Sequence, residues 1–402
     1  MPTPRKVTRT TGAARLSRRA LLARAGAGAL AVAAIGGTGV ALRIVQQSAL
    51  RPGTGEAYAA WSAALTGTGA LGLVRAAVLA ANAHDSQPWF FHVTDRQIDV
   101  FADRTRNIGA LDPLFRELEI SLGCAIENLV IAARASGLAP VVSLLPDPAE
   151  RDHVARVVLS AGATESSPFF DAIARRHTDR GAYEGRPVER ATLEALSALA
   201  DDPIARVLWI DADPAKSRFA ELTVQATAAI IADEDQARDD YSWYRQDWDE
   251  IQRKRDGITL DTAGLSEPLR VAIRALPPAD RTTLGNGWVD ATRTRHVATA
   301  AAFGLVLVRD RADQRQRIVG GRLFERVHLS ATTRGLAIQP LNQLNERADR
   351  ERSAHLPPAF SSSLVTLAPE GWDPVMAFRI GHPTTTPHAA PRRVAEQVIR
   401  PA

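Results

Sequence analysis

The chain contains a single cysteine, Cys124, so it can form neither an intramolecular disulfide nor a cluster of thiolates around a metal ion. Its nine histidines show neither an H-E-x-x-H nor an H-x-H arrangement. A P-loop and a G-x-S-x-G nucleophile elbow are missing as well. We therefore expect no metal site, and we expect oxygen, amide and guanidinium groups to hold an anionic cofactor.

The first 43 residues lack acidic side chains and carry eight basic ones. Seven of these precede an uncharged stretch from Ala25 to Leu42, and the pair Arg18-Arg19 lies shortly before it. A basic region followed by a weakly hydrophobic region is typical of leaders exported by the twin-arginine route. We expect residues 1–43 to be such a signal and residues 44–69 to be a linker. A transmembrane helix is the alternative, because 18 uncharged residues reach the lower edge of a membrane span.

The leader predicts where the protein acts. Export through the twin-arginine machinery would place it in the cell envelope or periplasm, or on the extracellular side. Gly39-Val40-Ala41 has the small residues of a cleavage site, but Arg43 follows almost at once. An uncleaved leader would anchor the protein to the membrane.

The folded body lacks the positive surplus that a nucleic-acid partner requires. The whole chain has 49 basic and 45 acidic residues, and removing the eight cations of the leader leaves 41 against 45, or −4. Nucleic-acid binding needs a basic domain or stripe. We therefore expect small-molecule partners and no nucleic acid.

The chain beyond the leader is too long for one typical compact domain, so two lobes or one enlarged domain are expected. Residues 90–93 and 98–101 are predicted as strands of a hairpin around a polar turn. Apolar residues at helical spacing from Leu118 to Ala132, followed by Gly137, predict a long core helix. The pattern indicates an α+β fold with mixed sheets covered by helices. Further strands are predicted over 141–145, 155–159, 207–210, 305–308 and 375–380. Further helices are predicted over 188–200, 214–237 and 312–333, with residues 175–180 at the end of another helix.

Residues 233–295, here called the insertion, break this alternation. The insertion is rich in charge and contains Trp243, Trp248 and Trp288 among several turn residues. An excursion of this size in a compact domain usually has a function, so we expect a lid or an interface arm. A mobile surface loop is the alternative.

Several segments resemble a known family of flavin enzymes. Residues 80–89, A-A-N-A-H-D-S-Q-P-W, are similar to the A-P-S-x-x-N-x-Q-P-W element of the nitroreductase superfamily. Residues 176–180, R-H-T-D-R, resemble its R-H-S-x-R/K element, and residues 391–394 resemble its basic segment near the C-terminus. Within the superfamily, the Acg-like FMN-binding oxidoreductases are resembled most in three further segments, residues 112–118, 335–341 and 378–383.

The resemblance implies a nitroreductase-like fold in which two nitroreductase-like halves, residues 70–165 and 166–402, occupy one chain. FMN would lie between the halves, and one chain would stand in for the usual dimer, which permits a monomer and leaves a homodimer open. Carried over by position, the FMN-binding residues would be Asp85, Ser86, Gln87, Trp89, Arg176, Thr178, Arg180, Arg392 and Arg393.

The resemblance also implies roles for these residues. Arg176, Thr178 and Arg180 would hold the phosphate and ribityl end, joined by Arg392 or Arg393, because guanidinium groups pair bidentately with phosphate. Residues 85–89 would face the ring and ribityl groups, with Gln87 at the polar edge of the flavin and Trp89 either as a flat wall or packed beneath the loop. Without the resemblance, residues 175–180 read as a solvated basic helix end.

The chain departs from the superfamily at Asp85, where Asn is common. An ionised carboxylate cannot donate the hydrogen bond that an amide donates, so Asp85 must meet a donor, bind protonated or turn away. Facing the ring, it would oppose the negative charge of a reduced flavin. We expect a lowered flavin potential.

The resemblance implies an FMN-dependent oxidoreductase that transfers hydride by a ping-pong route from a nicotinamide nucleotide or another donor to a nitroaromatic or quinone-like acceptor. The cofactor would carry the chemistry, so no catalytic side chain is predicted. Export raises an alternative, because free nicotinamide nucleotides are scarce outside the cytoplasm. The protein would then bind or sequester flavin with little turnover, or it would be a non-catalytic envelope interaction protein that has lost FMN.

Overall fold

The computed structural model describes residues 37–63 and 69–401. Most of the predicted leader, including Arg18 and Arg19, lies outside the described residues. The described chain divides into a smaller unit, residues 37–50 with 266–276, and a larger unit, residues 51–265 with 277–401.

The smaller unit contains two helices, Gly37–Gln46 and Glu267–Arg274, which pack together. The Nε of Arg43 donates a hydrogen bond of 3.1 Å to the carbonyl oxygen of Leu276. Among the described residues, the helices are each too short or too polar to span a bilayer.

The larger unit contains two four-stranded sheets among its described residues. The first sheet has the order β1-β2-β4-β3, and the second has the order β5-β8-β10-β9. Every pairing within the two sheets is antiparallel, so the expectation of mixed sheets is wrong, and parallel pairing among named strands is confined to the short β6 and β7. The strands are β1 Trp89–Val93, β2 Gln97–Ala102, β3 Leu138–Leu144, β4 His153–Ala161, β5 Ala205–Ile210, β6 Tyr244–Arg245, β7 Ile258–Thr259, β8 Ala302–Val308, β9 Ala337–Pro340 and β10 Asp373–Gly381.

Two helices of 20 residues each, Arg116–Ala135 and Gln314–Thr333, pack against each other, and we call them the first and second central helix. Gly123 and Gly321 lie where the two helices are in close contact. A Cβ atom on either glycine would lie 2.1 Å from a backbone carbonyl oxygen of the facing helix. Only glycine permits this approach, because any side chain would push the helices apart.

The two sheets repeat one arrangement. In the first, β1 and β2 precede the first central helix and β3 and β4 follow it; in the second, β5 and β8 precede the second central helix and β9 and β10 follow it. Matching the strands in this way makes the two sheet orders identical. This repeated order is the topology expected of two related halves that are joined through their central helices.

The remaining described α-helices connect or cover the sheets. A π-helical turn, Thr292–His296, precedes β8. The α-helices are Ala59–Ala63, Gly69–Ala77, Pro168–Ile173, Arg190–Ser197, Ala215–Ala232, Glu234–Ser242, Trp248–Lys254, Arg281–Ala291, Gln343–Ser353, Ala359–Val365 and Ala395–Val398.

The α+β class, the β1–β2 hairpin and both central helices are confirmed. The helix predicted over 214–237 is interrupted at Asp233, whose side chain accepts a hydrogen bond from the Gln236 backbone N–H and so starts a new helix. The helix predicted to carry residues 175–180 ends at Ile173, and those residues follow it in irregular backbone. The basic residues at 175–180 therefore do not form a helix end.

Candidate functional site

The segment from Asn82 to Trp89 is a tight turn that leads into β1. Three of its residues have left-handed backbone conformations, with φ of 49° at His84, 54° at Asp85 and 51° at Gln87. Side chains other than glycine pay about 1 kcal/mol or more for each such conformation. Surrounding contacts must therefore hold this turn. One of them is the hydrogen bond of 2.8 Å that the Gln87 backbone N–H donates to the Asn82 carboxamide oxygen.

Gln87 connects this turn to two distant segments. Its side chain is fully buried, and its Nε2 donates to the Arg255 carbonyl oxygen at 2.8 Å. Its Oε1 accepts from the backbone N–H of Arg393, again at 2.8 Å. The Arg393 side chain returns to the turn by donating to the carbonyl oxygens of Gln87 and Trp89. Gln87 therefore joins three segments of the chain by hydrogen bonds. Trp89 is fully buried in the core beneath them.

Asp85 and Arg392 form a buried ion pair across more than 300 positions of sequence. The Arg392 backbone N–H also donates to the Ala57 carbonyl oxygen at 2.7 Å. Burial raises the pKa of Asp85 from 3.8 to about 7, against the lowering effect of the Arg392 guanidinium. Among the described residues, the second carboxylate oxygen of Asp85 and the Nε of Arg392 are buried without a hydrogen-bond partner. Asp85 has thus met a donor and retains an orphaned oxygen.

Asp85 should make the protein less stable as the pH rises from about 4 to 7. With a pKa raised from 3.8 to about 7, the folded chain keeps a proton that the unfolded chain releases in this window. The contribution of protonated Asp85 to the free energy of unfolding is complete below its unfolded-state pKa. It is lost as the pH rises through its folded-state pKa. Asp85→Asn should flatten the slope of unfolding free energy against pH by up to about 1.4 kcal/mol per pH unit. Urea unfolding at pH 5 and pH 7 compares the slopes, and equal slopes would contradict the assignment.

Arg176 lies beneath the same turn and is buried. Its Nη2 donates to the Leu79 carbonyl oxygen at 2.8 Å, and its Nε lies 3.3 Å from an Oε1 of Glu325. The other carboxylate oxygen of Glu325 accepts from the Ala81 backbone N–H at 3.2 Å. This pair connects residues 79–81 to the second central helix, so Arg176 is held by protein groups on the inner side of the turn.

His177 follows directly and packs against Trp61, with ring centroids 4.4 Å apart. Burial, with Arg176 and Arg392 nearby, lowers the pKa of His177 from 6.5 to about 3, so the ring is neutral. Its Nδ1 is buried and has no hydrogen-bond partner among the described residues. The same Trp61 ring lies 5.2 Å from the Arg392 guanidinium carbon.

The other predicted site residues lie nearby with different exposures. Ser86 is buried, and its carbonyl oxygen accepts from the Nε of Arg106. Thr178 and Arg180 are half-buried, and Arg180 donates from Nη1 to the Thr262 carbonyl oxygen at 3.3 Å. Burial beside Arg106 lowers the pKa of Arg393 to about 10, which leaves it charged at neutral pH.

Part of the insertion, residues 240–262, contacts this turn directly, and we call it the strap. The Gly257 backbone N–H donates to the Asp85 carbonyl oxygen at 3.2 Å, and His84 Nε2 lies 3.0 Å from an oxygen of Asp240. Asp256 of the strap is buried between the guanidinium groups of Arg106 and Arg245. Neither Asp256 nor Arg106 lies in a motif, so pattern reasoning missed both.

The chain is similar in sequence to proteins named as nitroreductases. No family model matches the chain. A Mycobacterium tuberculosis protein provisionally named an NAD(P)H nitroreductase is 27% identical over 327 residues, which cover 80% of this chain and 88% of that protein. A second, provisionally named NAD(P)H nitroreductase Acg, is 27% identical over 339 residues, covering 81% and 93%. The chain is similar to these two nitroreductases. An alignment of 327 residues is longer than either predicted half, so it includes parts of both.

Two solved structures match shorter spans of the chain. The FMN-dependent nitroreductase NfnB of Mycobacterium smegmatis, in complex with NADPH, aligns with a TM-score of 0.38 at 17% identity over 58% of this chain and 98% of its own. A nitroreductase of Desulfitobacterium hafniense with bound FMN aligns with a TM-score of 0.33 at 16% identity over 56% and 95%.

Proposed function

We propose that this protein is an FMN-binding oxidoreductase of the nitroreductase type, which transfers hydride from a nicotinamide nucleotide or another donor to a nitroaromatic or quinone-like acceptor. The observation that carries the proposal is the meeting of three distant segments. Residues 80–89, 176–180 and 391–394 are each similar to one element of the superfamily, and hydrogen bonds and ion pairs join them around one turn. The similarity to NAD(P)H nitroreductases supports the same activity.

The residues present fit an anionic, polar cofactor. Arg180, Arg392 and Arg393 bring three guanidinium groups to this region, while Arg176 is buried beneath them and paired with Leu79 and Glu325. Buried atoms without partners among the described residues lie on the same segments, including Asp85 Oδ2, His177 Nδ1 and the Nε atoms of Arg392 and Arg393. Burying such groups unpaired costs free energy, so a ligand that pairs them would be bound favourably.

FMN, when bound, would take up hydride from one substrate and deliver it to the next, so a ping-pong order is expected. The protein's part is to bind and orient. The guanidinium groups would neutralise the phosphate. The hydrogen bonds of Gln87 to Arg255 and Arg393 would hold the turn at a constant distance from these guanidinium groups. Because the pKa of Asp85 is about 7, its protonated form can donate the hydrogen bond that Asn donates in relatives with that residue.

Absorption spectroscopy of the purified full-length protein tests cofactor binding. The proposal predicts the two-band spectrum of an oxidised flavin, with FMN released in a ratio near one per chain on denaturation. A colourless protein that takes up no FMN on reconstitution would contradict the proposal and would favour the non-catalytic interaction protein.

A second candidate function, flavin sequestration with little turnover, is favoured by the strap. The strap donates to the Asp85 carbonyl oxygen and accepts from the Gln87 side chain, so it lies directly against the residues proposed to face the flavin. A closed strap of this kind would restrict the approach of a second substrate.

Asp256→Asn should increase the rate at which NADPH reduces the flavin, if the strap limits access. The substitution weakens two charged contacts, with Arg106 and Arg245, each worth on the order of 1.5 kcal/mol or more, so an increase of at least about tenfold is expected. The matched control is Asp249→Asn, an exposed position of the insertion. Stopped-flow reduction measures all three proteins, and an unchanged rate in Asp256→Asn would show that the strap is not a gate.

Export by the twin-arginine route remains a prediction of the leader. Replacing Arg18 and Arg19 together by Lys should leave the folded protein in the cytoplasm, because the route reads the arginine pair. Cell fractionation with an antibody to the folded body measures this. Equal export of the wild-type and Lys-Lys proteins would contradict the prediction.

A further inference from the structure

Two arginines of the larger unit are anchored side by side. Arg180 donates from Nη1 to the carbonyl oxygen of Thr262 at 3.3 Å, and Arg295 donates from Nη2 to that of Ala263 at 3.1 Å. These carbonyl groups belong to consecutive residues, and both guanidinium groups act on His296 and on Arg379. Gly264 makes this possible, because its φ is +66° and a Cβ there would lie 2.2 Å from the Arg180 carbonyl carbon.

His296 lies among the same cations and is 3% exposed. Neither of its ring nitrogens has a hydrogen-bond partner among the described residues, and the same holds for the buried Nε of Arg295. Burial, with Arg379, Arg295 and Arg180 nearby, lowers the pKa of His296 well below its usual value, so the ring is neutral and carries one N–H donor.

Positive charge exceeds negative charge in this cluster. Asp179 is the carboxylate that affects Arg180, Arg295 and Arg379 in common, and burial raises its own pKa. Arg379 is satisfied internally, since its nitrogens donate to Gln339 Oε1 and to several carbonyl oxygens, among them those of Gly181 and His296. By comparison, the guanidinium groups of Arg180 and Arg295 each donate one hydrogen bond within the part of the chain that the structure describes.

A surplus of half-buried cations beside a buried, unpaired imidazole is unfavourable unless an anion pairs with it. The backbone around Arg295 and His296 is also unusual, because both lie on the π-helical turn Thr292–His296. Such turns are rare and are found frequently at functional sites, where they direct particular side chains.

We propose that Arg180, Arg295 and His296 form a binding subsite for an oxyanion, a phosphate or carboxylate group carried by a small-molecule ligand. Arg295 and His296 belong to none of the motifs on which the proposed function depends. Arg180 is shared with the proposed flavin site, whereas Arg295 and His296 carry the unpaired buried atoms, so variants of these two residues test the subsite separately from flavin binding.

Binding of inorganic phosphate to the full-length protein tests the subsite, by isothermal titration and by the shift of the thermal midpoint. Wild-type protein should bind phosphate and gain stability with its concentration. Arg295→Gln should weaken binding by about tenfold or more, because a charged hydrogen bond is worth about 1.5–3 kcal/mol. Arg293→Gln is the matched control, since Arg293 is exposed on the same turn. His296→Leu, which removes a buried unpaired ring, provides a second variant that should fold and bind phosphate more weakly.

Two further titrations identify the source of the oxyanion. If Arg295→Gln weakens binding of FMN but not of riboflavin, the subsite holds the flavin phosphate; if it weakens NADPH binding and leaves both flavins unchanged, the subsite holds an anionic group of the electron donor. Phosphate binding in a protein that takes up no flavin would support the subsite and contradict the proposed function. Equal affinity of wild-type, Arg295→Gln and His296→Leu proteins for phosphate, FMN and NADPH would overturn the subsite.

Discussion

Gly321→Ala is expected to destabilise the protein by about 1–3 kcal/mol, the usual cost of overpacking a close contact. The added methyl would lie 2.1 Å from the Ile120 carbonyl oxygen and 2.8 Å from the adjoining carbonyl carbon, and both are backbone atoms of a buried helix. The central helices must therefore separate, and with them the two sheets that they carry. Thermal and urea unfolding of wild-type and variant proteins measure the loss.

Gly287→Ala makes the same chemical change in another helix and is the matched control. Gly287 lies within Arg281–Ala291, and a Cβ there would meet nothing within 4 Å. Alanine is favoured over glycine in an exposed helix by about 1 kcal/mol, so this variant should be slightly more stable than the wild type. If Gly321→Ala shifted stability in the same direction as Gly287→Ala, the close contact between the central helices would be wrong.

Arg392→Met is expected to have the second large effect, because it leaves Asp85 buried without its cation. Because Asp85 has a pKa of about 7 beside Arg392, it takes up a proton when the cation is removed, and the cost is that of a buried polar group left unpaired, about 1–3 kcal/mol. Flavin should be lost as well, since Arg392 is one of the guanidinium groups proposed to hold the phosphate. Arg400→Gln is the control: Arg400 lies in the same C-terminal segment, but its ion pair with Asp103 is half exposed, so little change is expected.

A double variant separates stability from cofactor binding. Combining Arg392→Met with Asp85→Asn removes both charges, so it should recover a large part of the lost stability while flavin remains unbound. Urea unfolding and FMN titration follow the two quantities. Recovery of flavin affinity in the double variant would show that Arg392 acts through the turn and does not contact the phosphate.

Elements defined by apolar periodicity could be predicted from the sequence. The hairpin, the two central helices and the other strands of both sheets except β9 follow patterns of buried and polar positions, and the structure has them within a few residues of the predicted ranges. The strand β9, Ala337–Pro340, was not predicted. The ends of helices are harder to predict than their existence. The single carboxylate of Asp233, for example, decides where one helix ends and the next begins.

The helix Gln343–Ser353 shows why other elements could not be predicted. It is buried although most of its residues are charged or polar, because its charges pair with distant residues. Asp349, for example, accepts from Arg116 at 2.6 Å, and Arg350 donates to Asp233 at 2.9 Å. Hydrophobic periodicity cannot detect a helix that is held by ion pairs.

The candidate site divides in the same way. The motifs indicated which segments matter, and the structure brings residues 80–89, 176–180 and 391–394 together. The strap was indicated only as part of the insertion, and no local pattern marks Arg106, Asp256, Arg295 or His296. Arg106, for example, pairs with Asp256, which lies 150 positions away along the chain. The hydrogen-bond partners of Gln87 and Arg176 within the protein could not be predicted either, because they depend on how distant segments fold together.

Anaerobic titration of the full-length protein with NADPH, followed by flavin absorption, tests the central claim most directly. The proposed function predicts that NADPH bleaches the flavin bands and that a nitroaromatic or quinone restores them after the nucleotide has been removed. A flavin that stays oxidised under excess NADPH and NADH, yet is reduced by dithionite, would contradict hydride transfer from nicotinamide nucleotides and would favour sequestration.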